Sequence, residues 1–126
     1  MAHRLLTGWG GTAPTRAQVL SPSDATAIAD VLGGAPARGV IPRGLGRSYG
    51  DAAQNAGGHV VDTTRLQTIH AFDAADGVVT ADAGVSLWRL LAEVVPSGWF
   101  LPVVPGTQHV TLGGAIAADI HGKNHH

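Results

Sequence analysis

An α+β domain with a mixed sheet and flanking helices is the fold class this sequence predicts, and three observations carry the expectation. Two segments repeat apolar residues at helical spacing, and several short apolar runs are bounded by turn residues. Glycine, at 18 of 126 residues, implies many tight turns or close backbone approaches. Helical and extended segments alternate along the chain, which separates the pattern from an all-helical or an all-strand domain. With 44% hydrophobic residues in 126, there is material for one ordinary core, and residues 1–126 read as a single domain.

The first helix opens at Ser21-Pro22-Ser23-Asp24, with Ser23 read as its N-cap; Ala25, Ile28 and Val31 with Leu32 share one face, and Gly33-Gly34 ends it. Gly39-Val40-Ile41-Pro42-Arg43 reads as a strand that runs into a glycine-rich loop. His59–Asp62 and Thr68–Phe72 read as further strands, the second facing Val78–Ala81 across a turn at Ala75-Asp76-Gly77. Ser86 reads as the N-cap of a helix with Leu87, Leu90, Leu91 and Val94 on one face, ended by Pro96 and Gly98. Phe100–Val104 reads as an edge strand that tolerates proline, turned by Pro105-Gly106-Thr107. The small residues of Thr111–Ala118 suit a tightly packed helix start.

Composition excludes several function classes. Lys+Arg 8 against Asp+Glu 9, a formal net charge of −1, gives no footprint for a polyanionic surface, so nucleic acid is not an expected partner. The absence of cysteine removes disulfides, thiol nucleophiles and thiolate metal sites. No segment has the length and apolarity of a transmembrane span or a signal peptide, so the chain reads as soluble and cytoplasmic.

Three stretches could carry chemistry. In Arg43-Gly44-Leu45-Gly46-Arg47-Ser48-Tyr49-Gly50-Asp51, closely spaced glycines leave backbone N–H groups free to converge on an anion such as a phosphate. The plain alternative is a glycine-rich turn without a ligand, and the spacing fits neither a Rossmann fingerprint nor a P-loop. Pro105-Gly106-Thr107 with Thr111-Leu112-Gly113-Gly114 is a second small-residue approach, which taken alone suits close helix packing as well as a ligand wall. The third, Asp119-Ile120-His121-Gly122-Lys123-Asn124-His125-His126, could supply metal ligands, polar groups around a cofactor ring, or a short tag; no defined ligand set accompanies its histidines, and no metal is expected. His3, His59, His70 and His109 read as solvated or hydrogen-bonded, and Asp62, Asp73, Asp76 and Asp82 as turn chemistry. A hydrolytic triad of Ser48, His121 and Asp119 lacks the nucleophile-elbow context.

Together these stretches resemble the vanillyl-alcohol-oxidase, or PCMH-type, FAD-binding family, which includes sugar-lactone and alditol oxidases. The similarity runs from about Leu5 to His126; the motifs are specific in combination and weak singly. The resemblance implies that residues 1–126 are the N-terminal portion of such a domain, with the rest of it, a substrate domain and the catalytic base lying beyond His126. It assigns to FAD the residues Arg43, Gly44, Leu45, Gly46, Arg47, Ser48, Tyr49, Gly50 and Asp51 from the first loop. It adds Gly106, Thr111, Leu112, Gly113, Gly114, Ala118, Asp119, Ile120 and His121 from the second set, and places Tyr49, His121 and Lys123 near the substrate pocket. Many relatives attach flavin covalently through a histidine where this chain has Arg47, so non-covalent FAD is implied. The branch it resembles most oxidises the 2′-hydroxyl of decaprenylphosphoryl-linked ribose to a keto intermediate in arabinan and cell-wall precursor synthesis. That implies a lipid-linked sugar phosphate substrate, admits a partner reductase, and makes the cell envelope the alternative location. An aldonolactone or alditol oxidase of the same fold, and a non-catalytic FAD- or nucleotide-binding module or truncated remnant, stand as the other readings.

Overall fold

A computed structural model describes residues 2–124, which divide into two compact units, 2–66 and 67–124.

The first unit is a mixed four-stranded sheet. Strands β1 (Ala2–Leu6), β2 (Thr15–Leu20), β3 (Val40–Arg43) and β4 (His59–Asp62) lie in the order β1-β2-β4-β3. β1 is antiparallel to β2, whereas β2 and β3 both run parallel to β4. β1 and β2 are additions to the sequence reading. The signal in β2 is its alternation, since Ala17 and Val19 are buried while Arg16 and Gln18 are not. Leu6, Ala17, Val19 and Val60 form the core, with Ile41 packed against it. Asn55, only 9% exposed, ties the starts of β3 and β4 together: its Nδ2 donates to the carbonyls of Gly39 (3.1 Å) and His59 (3.2 Å).

Helix α1 (Ala25–Gly33) is capped by Asp24, not Ser23. The helix starts one residue later than the serine would require, and the extended backbone at Asp24 lets its Oδ1 accept from the Ala27 N–H at 2.8 Å. Gly34 closes it, as expected, with its N–H on the carbonyl of Asp30, while the Ala35 N–H takes that of Leu32.

The second unit begins with the hairpin of β5 (Ile69–Asp73) and β6 (Val78–Ala81), whose turn is held by Asp73 Oδ1 accepting from the N–H groups of Ala75 and Asp76. Helix α2 (Leu87–Val94) has the expected cap, Ser86 Oγ accepting from Arg89 N–H, and buries Leu87, Leu90 and Val94. Each such side chain stabilises the unit by about 1.5–3 kcal/mol. Pro96 lies in a 3₁₀ turn, Val95–Ser97, and Gly98, at φ 85°, terminates it. Val85 completes the core, against which Ile69, Phe72, Val79, Leu112 and Ile120 pack. Helix α3 (Leu112–Ala117) has Thr111 as N-cap.

The starts of α2 and α3 satisfy each other. Leu87 and Trp88 donate their N–H groups to the carbonyls of Val110 and Gln108, while Leu112 and Gly113 donate theirs to Val85 and Ala83.

The segment Phe100–Val104 is not a strand. Pro102 and Pro105 have no N–H to give a ladder, and the Val104 N–H goes instead to Asn124 Oδ1 at 2.8 Å. Asn124 Nδ2 returns to the carbonyls of Leu101 and Pro102, so one side chain replaces the missing ladder. Gly122 permits the approach, because a Cβ there would stand 1.8 Å from the Val104 oxygen.

Candidate cofactor-binding site

β3 delivers Arg43 to the head of the first glycine loop, where its guanidinium turns back into the protein. Nη2 donates to Thr7 O at 2.8 Å and Nη1 to Ala53 O at 3.0 Å. Desolvation lowers its pKa, and the nearby Asp62 carboxylate opposes that shift. Gly46 lies over this guanidinium at φ +71°, and a Cβ there would meet Arg43 Nη2 at 2.5 Å. Glycine at 46 is therefore a requirement of the loop itself.

Further along, three of the loop's carbonyls accept from protein donors, while its N–H groups go unused. Leu45 O accepts from Arg47 Nη1 at 3.1 Å, Ser48 O from Trp9 N–H at 2.7 Å, and Asp51 O from Gln54 N–H at 2.9 Å. Among the described residues, the backbone N–H groups of residues 45–51 donate to no protein acceptor. Gly50 has neither a positive φ nor any neighbour within 4 Å of a Cβ, so nothing in the fold demands glycine there and the space above it stays open. Ser48, Tyr49 and Asp51 are exposed, and the Arg47 guanidinium lies 4.2 Å from the centre of the Trp9 ring. An exposed run of unengaged N–H groups beside a cation is what a phosphate ester can use.

The second set is built differently. Thr111, 2% exposed, accepts from Gly114 N–H through Oγ1 at 3.0 Å, and the N–H groups of Leu112 and Gly113 go to Val85 O and Ala83 O. Leu112 and Ile120 pack on the core, and a Cβ on Gly113 would come within 3.0 Å of Ala83 Cβ. Gly114, Ala118, Asp119, His121 and Lys123 are exposed, and Gly106 has open space above it. This set therefore presents small surfaces and exposed polar tips, while the N–H groups of its helix start are already committed.

Sequence reasoning missed Thr7, Gly8, Trp9 and Ala53, which the structure brings against the first loop. The flanking glycines of Gly8-Trp9-Gly10-Gly11 were the available signal. A concavity of about 530 Å³ lined by His3, Arg16, Gln18 and His59 involves none of the expected residues, and the buried Nδ1 of His59 has no partner among the described residues. No set of metal-ligating side chains converges among the described residues; His125 and His126 lie outside them.

The model of the FAD binding domain family matches residues 16–126. The chain belongs to this FAD-binding family. Its cofactor is accordingly FAD, and the open N–H groups at residues 45–51 fit the pyrophosphate of such a group. The FAD-binding chain is 56% identical over 124 residues to decaprenylphosphoryl-β-D-ribose oxidase of Mycolicibacterium smegmatis, across 96% of this chain and 27% of that protein. It therefore spans about a quarter of that relative's length. A 42-residue stretch, 33% of the chain, is 57% identical to an uncharacterised protein in the mprA 5′ region of Streptomyces coelicolor, covering 11% of that protein. In fold, the FAD-binding chain matches alkyldihydroxyacetonephosphate synthase with a TM-score of 0.68 at 18% identity, over 82% of this chain and 22% of that one. Among the described residues no helix is long and apolar enough to cross a membrane.

Proposed function

We propose that residues 1–126 are the N-terminal portion of the FAD-binding domain of an oxidoreductase that oxidises the 2′-hydroxyl of a lipid-linked ribose phosphate. The similarity to decaprenylphosphoryl-β-D-ribose oxidase over 96% of the chain supports the substrate class. The observation that carries the binding role is the run of unengaged N–H groups at residues 45–51. FAD, when bound, supplies a hydride acceptor. The chain's own part is to bind and orient. The N–H groups of the first loop hold the pyrophosphate, the Arg47 guanidinium offsets its charge, and Gly50 keeps the approach clear. Gly106, Gly114 and Ala118 give small surfaces that a flat ring system can lie against; Tyr49 in the first unit, and His121 and Lys123 in the second, are exposed polar groups that the resemblance assigns to the substrate. Arg47 occupies the place of the flavin-linking histidine, so the flavin is held without a covalent bond. The catalytic base lies in the part of the oxidoreductase beyond His126, and a partner reductase would be a separate protein.

Purifying the full-length protein and precipitating it with acid tests the reading. All flavin should enter the supernatant, and FAD should be reduced by a polyprenylphosphoryl ribose but not by free alditols or aldonolactones. Yellow colour in the pellet, or reduction by alditols alone, would overturn it.

A further inference from the structure

We infer that Gly8 and Trp9 form a brace that positions the first glycine loop, and that Trp9 holds the Arg47 guanidinium by its flat face, leaving the donors that Leu45 O does not take available. The proposal rests on the FAD reading for its consequence, though not for its geometry.

Three independent contacts join the segment between β1 and β2 to the loop. The Trp9 N–H donates to Ser48 O at 2.7 Å. Thr7 O accepts from Arg43 Nη2 at 2.8 Å. Gly8 is buried so closely beneath the loop that a Cβ would stand 2.1 Å from Gly50 O and 2.4 Å from Tyr49 O. Both partners in the last contact are backbone, so a larger residue at position 8 must displace the loop itself. By engaging the Ser48 carbonyl, the brace also fixes which edge of that peptide faces the protein, and the adjoining N–H is turned the other way.

Trp9 adds a second constraint. A guanidinium lying over an indole uses its flat face, while its five N–H donors point outward in its own plane and stay available. Arg47 spends one on Leu45 O at 3.1 Å. The remaining donors can meet two phosphate oxygens in parallel. Trp9 is thus a positioning residue acting through Arg47, and it lies outside residues 16–126 that the family shares.

The test uses the full-length protein carrying Trp9→Ala, Trp9→Phe, Arg47→Ala, the Trp9→Ala/Arg47→Ala pair and Gly8→Ala. FAD affinity by flavin fluorescence should fall about fivefold for Trp9→Ala, as expected for loss of a partly exposed cation–π contact, and should be largely restored by Trp9→Phe. The pair should bind no more weakly than Arg47→Ala alone, because the tryptophan acts through the arginine. Additive losses, or unchanged affinity in Trp9→Ala, would overturn the stack. Amide exchange of the cofactor-free protein reads the brace without reference to the ligand. The Trp9 amide should be protected in the wild type and exchange faster in Gly8→Ala; equal exchange would overturn the brace. A wild type that protects Trp9 yet takes up no FAD would sink the FAD reading and uphold the brace.

Discussion

The two glycine-bearing segments look alike in the sequence and are opposites in the structure. In the first loop, the carbonyls of Leu45, Ser48 and Asp51 accept from protein donors and the N–H groups of residues 45–51 have no protein acceptor among the described residues. At the second, the N–H groups of Leu112, Gly113 and Gly114 are all spent on Val85, Ala83 and Thr111. Glycine content alone therefore does not mark an anion cradle. What decides is whether a second element has already claimed the donors.

Substitutions should separate the two roles. The largest effect is expected from Arg43→Ala, which strips charged donors from Thr7 O and Ala53 O. Hydrogen bonds to charged groups give about 3 kcal/mol for the two, read by denaturant unfolding, with FAD uptake lost as the loop collapses. Unchanged stability with lost uptake would make Arg43 a phosphate ligand instead of a scaffold.

Gly50→Ala sharpens the contrast, because its Cβ enters open space without backbone strain. Stability should hold or rise by about 0.5 kcal/mol, while FAD affinity falls about tenfold, or about 1.4 kcal/mol. A stability loss would show that the glycine serves the fold.

Thr111→Val should do the reverse. Loss of the cap on Gly114 costs about 1 kcal/mol, measurable by thermal melting and restored by Thr111→Ser, with FAD affinity within twofold of wild type in a titration at low temperature, a margin of about 0.4 kcal/mol. A large affinity loss in a stable Thr111→Val protein would break the division.

The smallest effect is expected at Asp82. Its hydrogen bond with His70 Nε2, at 2.7 Å, and then that from the Thr68 N–H hold its carboxyl below the ordinary value. A depressed folded-state pKa means the contribution is fully present above the unfolded pKa of about 4 and is lost as pH falls through the folded value. Melting curves of the wild type and Asp82→Asn should differ slightly near neutrality and merge below the usual carboxylate range.

Elements with a local signature were legible from the residues alone. Ser86 and the leucine face of α2, the Asp73 turn and Gly34 all behave as their chemistry requires. β1 and β2 were not read, since β1 buries only Leu6 and its place depends on pairing with β2 across an irregular loop. Phe100–Val104 misled because its apolar content resembles a strand, while the acceptor that replaces the ladder, Asn124, lies 20 residues away. The loop at the candidate site was legible from its glycines and Arg47. The Trp9 brace was not, because nothing near residue 9 in sequence announces Ser48 as its partner.

The reciprocal capping of α2 and α3 has a consequence for how the second unit folds. Neither helix, at 8 and 6 residues, is long enough to persist alone in water. Each start donates to carbonyls that the other's flank provides, across the loop from residue 88 to 108. Helix nucleation and closure of that loop therefore become one event. A nascent chain that has emerged only as far as α2 holds an unstable turn, and it becomes a helix when Val110 arrives. Native-state exchange should accordingly find the first amides of both helices opening together as one cooperative foldon, with a single free energy.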